Sequence, residues 1–343
     1  MAYTTINKPS EYFNTKLYTG TGATQAITGV GFQPDFLWIK SRGLARSHQI
    51  NDAVRGAGKI LAIDNSSVEF TDTDRITTLD SDGFTLGSND NVNGSSDNLV
   101  SWNWLANGAG VSNTDGDITS TVSANTTSGF SIVKWTGTGS NGTIGHGLGV
   151  APKMVIVKSL ANISYWMVYH ASLGNAQEIY LNSTSASQAS TTWNSTTPTS
   201  TVISLNGGAG NGVNYSGDYI AYCFAEKKGF SKFSSYTGNG NADGTFIYTG
   251  FKPAWVLVKK TSATDNWILL DNKRDTAPNP HKLALFPNLS DAEAGDYLID
   301  FLSNGFKIRS ATGSLNTASA SYIYMAFASE PLVGTNNIPA TAR

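Results

Sequence analysis

One apolar strand is written three times in this chain. "GFQPDFLWIK" fills residues 31–40, "GVAPKMVIVK" residues 149–158 and "GFKPAWVLVK" residues 250–259. Each copy opens with a proline and closes with a lysine. Pro34, Pro152 and Pro253 are separated by 118 and then 101 residues. Other landmarks keep the same order. Upstream stand "YTGTG" (18–22), "WTGTG" (135–139) and "YTGNG" (236–240). Downstream stand "HQIND" (48–52), "WMVYH" (166–170) and "WILLD" (267–271), then Asn65, Asn182 and Asn288, each closing a short apolar run. The units finish on alternating strands, "LVSWNWLA", "YIAYCFAE" and "YIYMAFAS". Several independent landmarks in one fixed order indicate triplication.

The period is too long for a solenoid or a propeller blade and suits a small all-β domain of about 100 residues. Short runs of Val, Ile, Thr, Phe, Tyr and Trp alternate with Gly/Asn/Asp/Ser turns, which is a strand signature. "NVNGSSDN", "GNGVNYSGD" and "TGSLNTASAS" precede the last strands and read as hairpin connections. The stretch "SDAEAGDYLIDFL" (290–302) has room for a turn or two of helix. In "PDFLWIK" both strand faces are apolar, so something must cover each side. The closing Lys40, Lys158 and Lys259 are expected at the return to solvent.

The expected architecture is all-β: three tandem β-sandwich (jelly-roll-like) domains. Their boundaries are an N-terminal docking arm at 1–12, the first repeat at 13–107, the second at 108–228 (with 108–116 as a linker), the third at 229–330 and a tail at 331–343. Within the second repeat, "DITSTVSAN" alternates like an edge strand.

Charged residues make up only 14% of the chain and the formal net charge is −2. Neither steers it toward nucleic acid or an anionic membrane. The single cysteine, Cys223, rules out an intrachain disulfide. The N-terminal residues carry no basic-then-apolar signal pattern, so synthesis in a cytoplasm is expected.

The residues that could carry chemistry read as structure. His48, His146, His170 and His281 lie at no metal-ligand spacing. Asp52/Arg55 and Asp271/Arg274 are three apart and read as turn-fixing pairs. The second unit has "YHASLGNA" at that place and lacks the pair. Asp72, Asp74, Asp80 and Asp82 offer carboxylates but no downstream bidentate Glu, so they read as a polar turn rather than a calcium loop. Glu69, Asp97, Asp218 and Glu226 fall in no shared register, as a glycosidase pair would need. No catalytic residue, metal or cofactor is assigned. Among the aromatics, Trp193 in the polar run "ASTTWNSTTPT" has no evident core partner and is the leading candidate for an exposed glycan or receptor contact. Tyr165 and Tyr215, also in loops, follow it.

The ordered set "YTGTG", "GFQPDFLWIK", "DAVRGAGK", "DGFTLG" and "NGSSDNLVSWNWLA" resembles a family of repeat domains in structural proteins of tailed bacteriophages, especially marine ones. The resemblance runs from about residue 12 to residue 330 and is most faithful in the first unit. It implies a virion component made in the host cytoplasm, a concanavalin-like jelly roll by fold analogy, and no catalytic activity. The expected role is a tail-fibre or adhesin-like exterior protein contacting host-surface glycans, or a capsid decoration protein; a cellular lectin or a glycan-degrading enzyme stands further off. The expected partners are other virion proteins, through the arm at 1–12, and further copies of the chain, with a trimer as the guess.

Overall fold

In the signature strand of each unit, alternation sends side chains to two different cores. The computed structural model describes residues 3–208, 212–275, 279–311 and 313–336. On the strand Phe36–Ser41, Phe36 and Trp38 face one apolar cluster while Leu37 and Ile39 face another. On Met154–Ser159 the split is Met154 and Ile156 against Val155 and Val157. On Phe251–Lys260 it is Trp255 and Leu257 against Val256 and Val258. The first-named face always enters the same cluster, which all three units share. The second face enters a cluster private to its own unit.

Each unit is thus a sandwich whose larger sheet looks inward at the common core and whose smaller sheet covers the outside. The larger sheets repeat one antiparallel order around the signature strand. In the first unit it runs Phe13–Thr19, Asn98–Trp104, Phe36–Ser41, Gln49–Asp52, Lys59–Ala62. The smaller sheets are Gln25–Thr28 with Gly83–Leu86 and Ile76–Asp80, Gly142–Gly145 with Val202–Leu205, and Phe246–Tyr248 with Gly305–Ile308 and Ile299–Leu302. The all-β expectation holds. The stretch 108–116 is more than a linker, because Val111–Asn113 pairs with Ser120–Asn125 and extends the second sheet. No helix forms over 290–302, where Ile299–Leu302 is a strand; its Ile299 and Phe301 fill the outer core.

The three units are arranged about a pseudo-threefold axis. Trp104, Phe224 and Phe327 hold equivalent places on the last strands, and their ring centroids form a closed triangle of 6.4, 6.1 and 5.6 Å. Around it runs a ring of hydrogen bonds between units. Trp166 Nε1 donates to Ala62 O at 3.0 Å, and Trp267 Nε1 to Tyr180 O at 2.8 Å. His48 occupies the same place in the first unit. Trp38 Nε1 donates to its Nδ1, so the proton sits on Nε2, which donates to Phe286 O at 3.0 Å. Burial pushes the His48 pKa well below its ordinary value and keeps the ring neutral. The three bonds run from the second unit to the first, the third to the second and the first to the third. A heterologous contact that closes after three steps is the geometry of a cyclic trimer, here within one chain.

A second ring explains the missing Asp–Arg pair. Asp52 Oδ2 accepts from Arg55 Nε at 2.5 Å and from Tyr222 OH at 2.8 Å. Asp271 Oδ2 accepts from Arg274 Nε at 2.6 Å and from Trp102 Nε1 at 3.1 Å. Trp102 and Tyr222 correspond to Met325 in the third unit. A thioether has no proton to give a carboxylate. The second unit accordingly has His170, whose ring bonds the Tyr324 carbonyl at 3.2 Å. The charge pairs do fix turns, through backbone bonds to Asp52 and Asp271, and they also join units.

Several local expectations are corrected. Lys40, Lys158 and Lys259 are fully buried, not at the solvent rim. Each lies on the inward face at the end of its strand, where the following turn wraps back and offers carbonyls. Lys40 Nζ donates to Ser41 O and Leu44 O, Lys158 to Ser159 O, and Lys259 to Asp265 O and Thr184 O. The repeated carboxamide is shifted by one in the first unit: Asp64, not Asn65, matches Asn182 and Asn288. Their Oδ1 atoms accept from the backbone N–H of His48, Trp166 and Trp267 respectively. The segments before the last strands are not plain hairpin connections. Two of them hold a helical turn, Asp90–Asn93 and Gly313–Asn316, and all three carry a buried asparagine, Asn93, Asn214 or Asn316, that ties down the "YTGTG"-type turn.

Residues 3–12 of the arm are engaged with the rest of the chain. Ile6 is buried in the common core, Tyr3 OH donates to Gly250 O, and Tyr12 packs edge-on to Phe230. Asn7 and Thr335 exchange two hydrogen bonds, so the first and last described segments meet beside the third unit. The ends of the arm and tail, residues 1–2 and 337–343, lie outside the described residues.

Candidate functional site

The polar run expected to expose Trp193 buries it instead. Trp193 is 0% exposed and sits in the second unit's private core, edge-on to Tyr169 at 5.7 Å. The outer sheet of this unit has two strands where the others have three. The indole packs in the same apolar cluster as Ile144, Ile203 and Leu205 of that outer sheet. Tyr165 is 46% exposed and lies flat on Tyr180, with centroids 4.3 Å apart and planes at 13°. Tyr215 is 44% exposed on a different loop, where its backbone N–H bonds Tyr219 OH. The three residues therefore do not form one surface.

A site does form around a residue that the sequence reading passed over. The strand Gln177–Tyr180 alternates like its equivalents. Ile179 faces the common core, as do Leu61 and Leu285. The position before it faces the outer layer and is Ile60 in the first unit, Ala284 in the third and Glu178 in the second. All three are buried, Glu178 at 1% exposure. Two units satisfy this position with apolar side chains, so the fold does not call for a carboxylate there. Burying an unneeded charge is costly.

Four neutral donors hold Glu178. Tyr180 OH donates to Oε1 at 2.5 Å and Gln188 Nε2 at 2.9 Å; Ser190 Oγ donates to Oε2 at 2.7 Å, joined there by Thr192 Oγ1. Burial pushes the carboxyl pKa up, and these hydrogen bonds more than offset it, so the net shift is below the ordinary value. Glu178 is ionised at neutral pH. Burial and the adjacent carboxylate raise the Tyr180 phenol, which stays protonated.

Above Glu178 opens a cavity of about 690 Å³. Its wall includes Gln188, Ser190, Thr191, Ser195 and Asn206, and no lysine, arginine or histidine among the described residues. The size lies in the range of ligand cavities, and the lining mixes hydroxyl, amide and glycine groups with the apolar Ala176 and Ala189. On the other side of Tyr180, exposed Tyr165 and Ile163 border a second cavity of about 450 Å³ that reaches Asp64 and Asn65 of the first unit. The Tyr165–Tyr180–Glu178 contacts join the two.

The other candidates resolve into local structure. Asp72 pairs with Arg75, Asp74 accepts from Ser88, Asp80 from Thr85, and Asp82 from the N–H groups of Gly29 and Gly31. Glu69, Asp97, Asp218 and Glu226 pair with Arg55, Arg46, Lys134 and Lys232. One exposed aromatic feature was also missed. Phe246 and Tyr248 stand two apart on an edge strand of the third unit, both open to solvent.

No curated protein matches the chain. The chain belongs to the family described as a domain of unknown function (DUF7483), whose model matches residues 8–331 and so runs through all three units.

Proposed function

We propose that this protein is a non-enzymatic structural component on the exterior of a tailed phage particle, adhesin-like or part of a tail fibre, and that its second unit contacts a host-surface glycan through the Glu178 cavity. The observation that carries the binding half is the column Ile60, Glu178, Ala284: one unit keeps a buried charge where the fold accepts apolar side chains, and that charge floors the cavity. The virion half rests on the ordered motifs and their resemblance to phage structural repeats. The closed three-unit body fits a compact knob rather than a shaft. One chain already supplies the threefold shape, so the proposal does not depend on the trimer guessed from sequence. A single weak glycan contact becomes useful in many copies per particle, where avidity gains of about 10²–10⁴ are available.

A capsid decoration role is the second reading, favoured by the exposed Phe246 and Tyr248, apolar surface that a shell contact would bury. The experiment is cryo-EM of particles with and without the gene, paired with adsorption assays. Density lost at the tail together with lost adsorption supports the adhesin. Density lost from the capsid with adsorption intact overturns it in favour of decoration. Purified protein should compete with adsorption, and Glu178→Ala protein should not.

A further inference from the structure

The polarity of the Glu178 cavity points to the charge of its ligand. We infer that the cavity selects saccharides without anionic groups and prefers one that carries a free amine; this rests on reading the cavity as a glycan contact.

The first support is charge. Glu178 contributes a negative charge to the floor, and no basic residue lines the wall among the described residues. A carboxylate, sulfate or phosphate on the ligand would enter against that field with no cation to receive it. An ammonium would enter with it.

The second support is the direction of the hydrogen bonds. Tyr180, Gln188, Ser190 and Thr192 all turn donors toward the carboxylate. A hydroxyl has one proton and two lone pairs. Ser190 Oγ also accepts from the Thr192 backbone N–H and lies 2.7 Å from Thr192 Oγ1, so these two hydroxyls are engaged with each other and with the carboxylate. The exposed Gln188 amide, whose nitrogen bonds Glu178, brings its carbonyl oxygen as an acceptor. That oxygen and the negative field of Glu178 are matched to ligand N–H groups. An ammonium carries three donors and no acceptor, which makes it the best complement.

The third support is internal comparison. Tyr180 corresponds to Ala62 and Phe286, neither with a hydroxyl, and Glu178 to Ile60 and Ala284. Carboxylate and phenol therefore occur together in the second unit, whose outer layer holds this cavity.

The test is calorimetric titration of the full chain with three oligosaccharides of equal length: a glucosamine oligomer, its fully N-acetylated form and an oligogalacturonate. The glucosamine oligomer should bind about tenfold more tightly than the N-acetylated one, and the uronate should not bind measurably. Added salt and a pH above that of amine deprotonation should erase the advantage. Glu178→Gln should bring the first two ligands to within about threefold of each other. Glu178→Ala, which carries the third unit's residue, checks by its melting curve that effects are not those of unfolding. Equal binding of amine and N-acetyl forms, tight uronate binding, or an unchanged ranking in Glu178→Gln would overturn the inference and leave the cavity a glycan site. Binding of no saccharide by the wild-type chain would overturn both.

Discussion

The centre of the molecule and the outer layer of its second unit follow opposite rules. At the centre the three units answer one problem with equivalent residues: Trp104, Phe224 and Phe327 on the axis, His48, Trp166 and Trp267 around it. In the outer layer the second unit breaks the pattern with Glu178, Tyr180 and a shortened sheet. Triplication makes each unit a control for the others. What all three share is what the fold needs, and what one keeps alone, against the cost of burial, is a candidate for function.

The comparison breaks most severely at the axis. Trp104→Ala should cost about 3–5 kcal/mol through the cavity it leaves, and chemical denaturation should still show one transition, since the common core is built by all units. Two separated transitions, with the second unit surviving, would contradict a shared core. Asp271→Ala should cost about 3–5 kcal/mol, because it removes the closest counter-charge of the buried Arg274, leaving the longer pair with Glu293, and the acceptor for Trp102. His170→Ala, at the equivalent but uncharged place, should cost clearly less in the same denaturation assay.

A smaller effect comes with pH. Burial pushes the amines of Lys40, Lys158 and Lys259 down to about 8. Between that value and the ordinary lysine value of about 10.4, the unfolded chain binds more protons than the folded one. Stability should therefore rise from pH 8 toward 10, with no such gain below 8. Burial also raises Tyr18, Tyr222 and Tyr236 well above their ordinary value, so stability should fall once the unfolded chain ionises its tyrosines above about pH 10. Urea midpoints from pH 7 to 11 would check both arms. The smallest change is expected at Glu178→Ala, within about 1 kcal/mol of wild type by thermal melting, since a third of the molecule already lives with alanine there. A loss of several kcal/mol would make Glu178 a structural residue and end its candidacy.

Much of the architecture was legible. Strand periodicity placed the signature strands, and their two apolar faces required two covers. That one cover comes from the other units was not legible, because period-2 patterning shows that a face is buried and not what buries it. The lysines misled because a charged residue closing an apolar run ordinarily marks solvent; the carbonyls that satisfy them belong to turns with no sequence signature. Trp193 misled for the converse reason: its neighbours are polar, and burial was judged from them. Glu178 carries no signal within its own unit, since one glutamate in a short strand reads as a solvent-facing residue. Aligning the strand after each "HQIND"-type segment puts Ile60, Glu178 and Ala284 in one column, and the odd member is visible without coordinates.

Covalent fusion of the three units has a consequence for how such a surface can change. In an assembly of three identical chains, any substitution is made in triplicate. A glutamate at this position would place three buried charges in one particle and triple their cost, and the matching tyrosine and serine would have to suit every site at once. Here the hydrogen-bond ring closes within one polypeptide. One lobe can be altered while two keep apolar side chains at that position and hold the body together. The molecule has the economy of a symmetric assembly and the freedom of an asymmetric one, and variation among relatives is expected to concentrate in one lobe's outer layer and to spare the axis.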